Sequence, residues 1–236
     1  MKKTLLSILI VLLCFSFADA QIISIAKKKA GGGGTATIAR ESYAEYLLPD
    51  SDSTYAWTVT IPANTTAIVV TVSGYDFYSG NPLVSANLNG SQNFTVDATL
   101  DDANDCGVGI GHLFSPASTG SQTINITTSA HGYNAYLYLI FYSGTATDGL
   151  RDSDSASNAS VTLTTAVGDM VVAVAFDDWD TSIDWTNATE IDEYAFYYSS
   201  GTAIAQLTAD GTSETVGTAA GNNRAIAAIV LKPGSL

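Results

Sequence analysis

The sequence offers few residues for acid–base or nucleophilic catalysis. His112 and His131 are its two histidines, and it contains no Gly-x-Ser-x-Gly motif for a nucleophile elbow. Cys106 begins an alternating stretch, Cys106-Gly-Val-Gly-Ile-Gly-His112, that is typical of a strand. A strand would hold the two side chains on one face but about 20 Å apart, too far for a dyad. We interpret Cys106 as a buried structural residue and expect no catalytic residues and no enzyme.

Acidic residues cluster in two predicted loops, and carboxylate oxygens are preferred ligands of Ca²⁺. The first loop does not match an EF-hand, because Cys106 takes the fifth position and the distal glutamate is missing. Paired carboxylates would also suit a glycosidase, but such runs are typical of solvated loops. Calcium is the one cofactor that the sequence suggests, against the alternative of none. Its candidate ligands are Asp101, Asp102, Asp105, Asp177, Asp178, Asp180 and Asp184.

Aromatic residues lie in two loops that correspond to each other in the two halves of the chain. They are Tyr75, Phe77 and Tyr78 in the first half, and Trp179 and Trp185 in the second half. Exposed aromatic rings beside acidic groups suit the binding of sugar rings. The alternative is that they cap the ends of the apolar core.

The first twenty residues have the layout of a secretory signal peptide. Lys2 and Lys3 supply a basic start, residues 5–17 form an apolar run, and Ala18-Asp19-Ala20 fits the cleavage pattern. The run is shorter than the roughly 20 residues of a bilayer span, although an uncleaved anchor is the alternative. We expect cleavage before Gln21, secretion to the cell surface, and no membrane span in the mature protein.

Charge is distributed unevenly along the rest of the chain. Residues 21–40 contain four basic and no acidic side chains, whereas residues 41–236 contain three basic and 22 acidic ones. Such an acidic body repels phosphate backbones, so we expect no nucleic acid as a partner. The contrast predicts that the basic end of one copy attracts the acidic body of another.

Residues 21–40 form a predicted N-terminal arm. A short β-prone segment with Ile22, Ile23 and Ile25 precedes Lys27, Lys28 and Lys29, and a glycine run follows. The run is Gly31, Gly32, Gly33 and Gly34, and its composition predicts a flexible hinge. The arm either returns to its own chain, stays disordered, or adds to a sheet edge of a neighbouring copy.

Six of the twelve asparagines lie in Asn-x-Ser/Thr motifs, which are acceptor sites for N-glycosylation in secreted proteins. Several of them fall in predicted turns. We therefore expect a glycoprotein with candidate sites at Asn64, Asn89, Asn93, Asn125, Asn158 and Asn187.

Hydrophobic periodicity indicates strands almost throughout residues 41–236. Residues 57–61, 123–127 and 160–164 alternate between apolar and polar side chains, which predicts half-buried strands. Residues 67–72, 135–142, 170–176 and 225–231 are apolar on both faces, which predicts central strands. We predict an all-β fold: a two-sheet, antiparallel, jelly-roll-like β-sandwich with an extended N-terminal arm.

The sandwich contains signs of an internal repeat. Residues 57–61 and 69–76 resemble residues 160–164 and 171–178, and residues 134–144 resemble residues 223–234. Two aromatic faces also stand out: Tyr136, Tyr138 and Tyr142, and Tyr194, Phe196 and Tyr198. Each face either packs inside or meets a neighbouring subunit.

Residues 161–175 (VTLTTAVGDMVVAVA) and 225–233 (AIAAIVLKP) resemble a pattern in uncharacterised secreted bacterial and phage-associated β-sandwich domains. The resemblance covers most of residues 54–233 and implies no catalytic residues. The layout of an arm followed by a sandwich is similar to subunits of bacterial donor-strand filaments. This likeness is architectural, so the function that it implies is an analogy.

Together these features predict a structural subunit of an extracellular, glycosylated filament. The subunits would assemble head to tail, each passing its N-terminal strand to a neighbour. A secreted carbohydrate-binding or adhesive module is the alternative, and a hydrolase is a distant third.

Overall fold

The described part of the chain folds mostly into antiparallel β-strands. A computed structural model of the protein describes residues 35–49, 53–75, 77, 80–101, 106–131, 135–157, 160–196, 200–219 and 224–235. All of these residues belong to one compact unit, Gly33–Leu236. Among them, no helix is long and apolar enough to span a membrane. The prediction of an all-β fold of antiparallel, sandwiched sheets is confirmed.

The first half of the described chain contains nine strands in two sheets. They are β1 (Ala39–Leu48), β2 (Thr54–Ile61), β3 (Ala67–Tyr75), β4 (Ser85–Leu88), β5 (Gln92–Asn93), β6 (Thr95–Asp101), β7 (Cys106–Phe114), β8 (Gly120–Thr127) and β9 (Ala135–Ser143). A five-stranded sheet has the order β1-β9-β3-β7-β6, and a four-stranded sheet has the order β2-β8-β4-β5. The chain therefore crosses repeatedly between the sheets, as in a jelly roll.

The second half repeats this topology with eight strands. They are β10 (Thr145–Ala156), β11 (Ser160–Thr164), β12 (Met170–Asp177), β13 (Trp185–Thr186), β14 (Thr189–Ala195), β15 (Gly201–Thr208), β16 (Ser213–Thr218) and β17 (Arg224–Pro233). The sheet orders are β10-β17-β12-β15-β14 and β11-β16-β13. The three pairs of similar sequence segments occupy equivalent positions: β2 and β11, β3 and β12, β9 and β17. This equivalence supports the hypothesis of an internal duplication.

The two five-stranded sheets pack face to face in the middle of the molecule. One apolar cluster joins them and contains Val69 of β3 and Val172 of β12. Val70, which follows Val69 in β3, points away from this cluster into a second one. Val171, which precedes Val172 in β12, points away from it into a third. Each of those clusters lies between a five-stranded sheet and its smaller sheet. The described residues thus form four sheets, whereas the sequence predicted two.

The four central strands explain this difference. β3, β9, β12 and β17 are buried along almost their whole length, which confirms the prediction from their two-sided apolar pattern. Such a pattern shows that both faces of a strand are covered. It does not show whether a loop, a helix or a second sandwich covers them.

Two seams close the space between the five-stranded sheets. In the β6–β10 seam, Ser153 Oγ donates to the carbonyl of Asp97 at 3.3 Å, and Ser155 Oγ donates to that of Thr99 at 3.2 Å. In the β1–β14 seam, side chains of β1 meet those of β14. Because β10 corresponds to β1 and β14 to β6, the two halves are related by an approximate twofold axis, as in an isologous dimer.

The glycines of β7 allow a close approach that side chains would block. A Cβ on Gly109 would lie 2.6 Å from Leu83 Cβ and 2.9 Å from the Leu83 backbone nitrogen. A Cβ on Gly107 would lie 2.3 Å from the ring of Phe77. The Gly-Val-Gly-Ile-Gly pattern therefore provides a bare strand face for the segment that contains Phe77 and Leu83.

Candidate functional site

The β1–β14 seam brings acidic side chains of the two halves together. Along β1, Ala44 and Tyr46 pack against the core of the first half. Glu45, between them, therefore points to the opposite face, toward the second half. Asp192 lies in β14 next to a register shift in the ladder with β15. Its carboxyl group lies close enough to Glu45 for the Glu45 carboxylate to raise the pKa of Asp192.

These two carboxyl groups cannot both be ionised without repulsion. Burial, the hydrogen bond with Glu45 and the charge of Glu45 raise the pKa of Asp192 to about 7. Oδ2 of Asp192 is buried, and no hydrogen-bond donor from the described residues reaches it. Glu45 itself is exposed to solvent, so either a proton or a cation can balance the charge of the pair.

Tyr138 adds a second unpaired polar group. It is the cross-strand partner of Glu45 in the β1–β9 ladder, so the two side chains lie on the same sheet face. Tyr138 is fully buried, and its hydroxyl has no hydrogen-bond partner among the described residues. Burial and the nearby charge of Asp192 raise the pKa of Tyr138. A buried hydroxyl without a partner costs about 1–3 kcal/mol.

Tyr136 completes the wall of the seam. Burial and the neighbouring Glu45 carboxylate raise the pKa of its hydroxyl. Its ring stacks on Tyr194 of β14 with ring centroids 4.2 Å apart. The aromatic faces of β9 and β14, for which the sequence left two locations open, thus pack inside between the halves. Tyr142 joins them through a 3.1 Å hydrogen bond that its hydroxyl donates to Gln206, and Tyr198 lies outside the described residues.

Exposed apolar side chains border the carboxyl pair along β1. Tyr43 is 40% exposed and Leu47 is 44% exposed, and both lie on the same strand face as Glu45. Within the described residues, β1 pairs with β9 on one side and with no strand on the other. The seam therefore ends at an open strand edge.

No family model, curated protein or solved structure matches this chain. The chemistry of its own residues is therefore the guide to its function. Within the described part of the chain, the β1–β14 seam combines three features: facing carboxyl groups, a buried hydroxyl without a partner and an open strand edge.

His112 has a carboxylate partner that the sequence analysis missed. Its Nδ1 lies 2.7 Å from Oδ2 of Asp97 in the neighbouring strand β6, and both side chains are almost fully buried. Burial raises the pKa of Asp97, and the contact with His112 opposes that shift. Cys106 is buried at the other end of β7. The Asp97–His112 contact joins β6 to β7 next to the β6–β10 seam.

The candidate calcium ligands are divided among several environments. Asp177 is buried and forms an ion pair with Arg224 of β17, and Asp180 is exposed at 4.0 Å from the same guanidinium. In the described part of the chain, no group of three His, Cys, Asp or Glu side chains is placed to hold a metal ion. The remaining candidates are Asp178, half-buried; Asp184, exposed; Asp101, at the end of β6; and Asp102 and Asp105, outside the described residues.

The loop aromatics differ between the halves. Phe77 is buried, with its ring centroid 5.5 Å from that of His131, and His131 Nε2 lies 2.9 Å from the hydroxyl of Tyr55. Trp179, in contrast, is 68% exposed. The others are Tyr75 and Trp185, which are half-buried, and Tyr78, which lies outside the described residues.

Most of the predicted glycosylation sites lie at the surface. Asn64, Asn89, Asn93 and Asn187 are exposed. Asn125 is half-buried, and its side-chain amide donates to Asn87 Oδ1 at 2.8 Å. Asn158 lies outside the described residues.

The predicted assembly strand and hinge also lie outside the described residues. They are Ile22, Ile23, Ile25, Lys27, Lys28, Lys29, Gly31, Gly32, Gly33 and Gly34. The described chain begins at Thr35, which forms a β-bridge with Ser235. The described chain therefore starts beside the end of β17.

Proposed function

We propose that the protein is a structural subunit of an extracellular, glycosylated filament, in which residues 22–29 of one copy add as a strand to the next copy. The observation that carries this proposal is the open edge of β1, with its exposed Tyr43 and Leu47. A long strand edge with apolar side chains associates with other chains unless something covers it. Strand addition covers such an edge with backbone hydrogen bonds and buries its side chains.

The long edge of β10 contrasts with that of β1. β10 has twelve residues and includes Arg151 and three aspartates, Asp148, Asp152 and Asp154, whereas residues 43–48 of β1 include one charged side chain, that of Glu45. Charged side chains on an edge strand oppose its pairing with other chains. Of these two long edges, β1 is therefore the better suited to receive an apolar strand.

The uneven distribution of charge along the chain supports the same mode of assembly. The arm contains Lys27, Lys28 and Lys29, whereas residues 41–236 contain 22 acidic and three basic side chains. Such complementarity accelerates encounter and selects orientation. A contact that joins the arm of one copy to a different surface of the next is heterologous, so its repetition generates a filament. Glycans on the exposed asparagines would lie in solvent, which suits an extracellular assembly.

Deletion of residues 22–29 tests this proposal. We expect the full chain to form filaments by electron microscopy and fast-sedimenting species by ultracentrifugation, and the deletion variant to remain monomeric with an unchanged circular dichroism spectrum. Ile23→Ser with Ile25→Ser should weaken assembly, whereas the matched control Ser24→Ala should not. Undiminished assembly by the deletion variant would refute the proposal.

The exposed indole of Trp179 favours one alternative, a carbohydrate-binding module. Trp179 is 68% exposed and lies between Asp178 and Asp180, an arrangement that suits stacking on a sugar ring with hydrogen bonds to its hydroxyls. Glycan-array binding by the full chain that is lost on Trp179→Ala would support this alternative. Absence of binding, or binding that Trp179→Ala leaves intact, would remove it.

A further inference from the structure

We propose that the β1–β14 seam is the receiving site for the arm of a second copy, and that it binds one lysine ammonium group between Glu45 and Asp192. This inference rests on the proposed filament and names the surface at which its subunits join. The occupant is residues 22–29 of a second copy of this chain.

The arm has one face that matches the seam. In an extended strand, alternate residues share a face, so Ile23, Ile25, Lys27 and Lys29 point the same way. This face is apolar in its first part and basic in its second part. A strand placed beside β1 would direct this face toward β14 and the carboxyl pair.

One register aligns both parts with β1. The corresponding face of β1 presents Leu47 at one end and Glu45 two residues before it. An antiparallel arm with Ile25 opposite Leu47 has Lys27 opposite Glu45. Directly opposed residues in neighbouring strands contact each other. An apolar pair and an ion pair therefore form together in this register.

A parallel arm with Lys27 opposite Glu45 would form a comparable apolar pair, Ile25 with Tyr43, but it would have Lys29 opposite Leu47. In the antiparallel register Lys29 lies opposite Tyr43 instead. An aromatic ring attracts an ammonium group through its face, whereas the aliphatic side chain of leucine does not. This difference favours an antiparallel arm.

The lysine ammonium group supplies the hydrogen-bond donors and the positive charge that the seam lacks. A lysine has three donors and no acceptor, so one N–H can bind Glu45 while another binds Oδ2 of Asp192, which no described donor reaches. Each carboxylate then faces a cation, and the pair no longer needs a shared proton.

Backbone hydrogen bonds at the start of the described chain oppose an intramolecular alternative, in which the arm folds back onto β1 of the same copy in this register. A hairpin that places Ile25 opposite Leu47 must turn around Ala36. The backbone N–H of Ala36 donates to the carbonyl of Gly234 at 2.7 Å, and Thr35 bridges to Ser235. The residues that would have to turn are therefore already paired with the end of β17. A second copy can offer its arm without breaking these pairings.

Charge exchange tests the lysine contact. We expect Lys27→Glu and Glu45→Lys each to weaken association by about tenfold to a hundredfold, since each removes a hydrogen bond between charged groups. The combined variant Lys27→Glu, Glu45→Lys should recover at least about tenfold of that loss. The matched control combines Lys27→Glu with Asp148→Lys. This second substitution makes the same charge reversal at a side chain of β10 that is 87% exposed. Thermal melting of each variant verifies folding.

Disulfide cross-linking tests the register independently of charge. Copies that carry Ile25→Cys are mixed with copies that carry Leu47→Cys under mild oxidation, and the linked peptides are identified by mass spectrometry. We expect a 25–47 link between copies, and no 25–167 link with the control Val167→Cys, which is 74% exposed.

The pH dependence of association provides a third readout. The groups that face Asp192 are Tyr43 and Glu45 from β1, Tyr136 and Tyr138 from β9, and Glu190 from β14. Association should strengthen as the pH rises through about 7, because the Asp192 carboxyl loses the proton that excludes the lysine. Asp192→Asn should remove that dependence.

The outcomes separate this inference from the filament itself. Deletion of residues 22–29 could abolish assembly while the charge exchange restores no more association than its β10 control and no 25–47 link forms. In that case the proposed receiving site is wrong, and the proposal of a filament is retained. If the deletion leaves assembly intact, both proposals fail.

Discussion

Glu45 of β1 and Asp192 of β14 face each other across the seam between the two halves of the protein, and the Glu45 carboxylate helps to raise the pKa of Asp192. They come from topologically different strands of the two jelly-roll-like halves, and the packing of the two large sheets brings them together. Burial of Asp192 and repulsion from the Glu45 carboxylate together raise its pKa to about 7, so the isolated protein holds a proton there below that pH. The seam is therefore sensitive both to pH and to an incoming cation.

The Asp192 proton makes stability depend on pH. The folded protein retains this proton up to about pH 7, whereas the unfolded chain loses it near the ordinary value of 3.8. Between these values folding takes up a proton, so this contribution is complete below about pH 4 and is lost as the pH rises through about 7. We expect the free energy of unfolding to fall by about 1–2 kcal/mol over that range, a figure reduced for solvent around a half-exposed group.

Urea unfolding of the armless protein at pH 5 and pH 8 measures this loss without interference from assembly. Asp192→Asn should flatten the difference, since an amide can donate to Glu45 at both pH values. Asp154→Asn on the edge strand β10 is the control and should leave the difference unchanged. An equal pH response in wild type and Asp192→Asn would show that Asp192 does not hold the proton.

Two tyrosines of β9 should respond in opposite ways to loss of their hydroxyl groups. Tyr138→Phe removes a buried hydroxyl without a partner and should leave the monomer unchanged or more stable by about 1 kcal/mol. Tyr142→Phe loses a hydrogen bond to Gln206 and should destabilise the protein by about 1 kcal/mol. Chemical denaturation of both variants provides the comparison. Equal destabilisation of the two would mean that the Tyr138 hydroxyl has a partner in solution.

The bare face of β7 predicts a sharp contrast between two glycine substitutions. Gly109→Ala would place a Cβ 2.6 Å from Leu83 Cβ and should destabilise the protein by about 1–3 kcal/mol through overpacking. Gly211→Ala has no atom nearer than 3.8 Å to the new Cβ and should be close to neutral. Thermal melting distinguishes them, and a neutral Gly109→Ala would contradict the close approach of the Leu83 segment.

The buried ion pair between Arg224 and Asp177 should matter far more than an exposed one. Arg224→Ala leaves Asp177 buried without its cationic partner and should destabilise the protein by about 3–5 kcal/mol. Lys232→Ala breaks a 3.5 Å contact with the largely exposed Asp148 and should change stability by about 0–1 kcal/mol. Similar effects in the two variants would indicate that solvent reaches Asp177.

Sequence periodicity was sufficient to predict the strands but not their partners. The alternation in residues 57–61, 123–127 and 160–164 located β2, β8 and β11, because a half-buried strand must alternate. The two-sided apolar runs located β3, β9, β12 and β17 for the corresponding reason. The number of sheets did not follow from these patterns, because burial of a face does not identify the layer that buries it.

The candidate site was less accessible from sequence. Glu45 lies in a mixed stretch, Tyr43-Ala44-Glu45-Tyr46-Leu47, whose side chains could face either solvent or another sheet. Its contact with Asp192 results from the crossing of two sheets and leaves no spacing signal. The Asp97–His112 contact is equally hidden, because a register shift between Val96 and Ala98 interrupts the ladder.

The most direct test of strand donation is a high-resolution electron cryo-microscopy structure of filaments formed by the full chain. The proposed assembly predicts that residues 22–29 of one subunit lie antiparallel to β1 of the next, with the side chain of Lys27 between Glu45 and Asp192. Filaments in which β1 has no added strand, or in which it pairs with the arm of its own subunit, would contradict it.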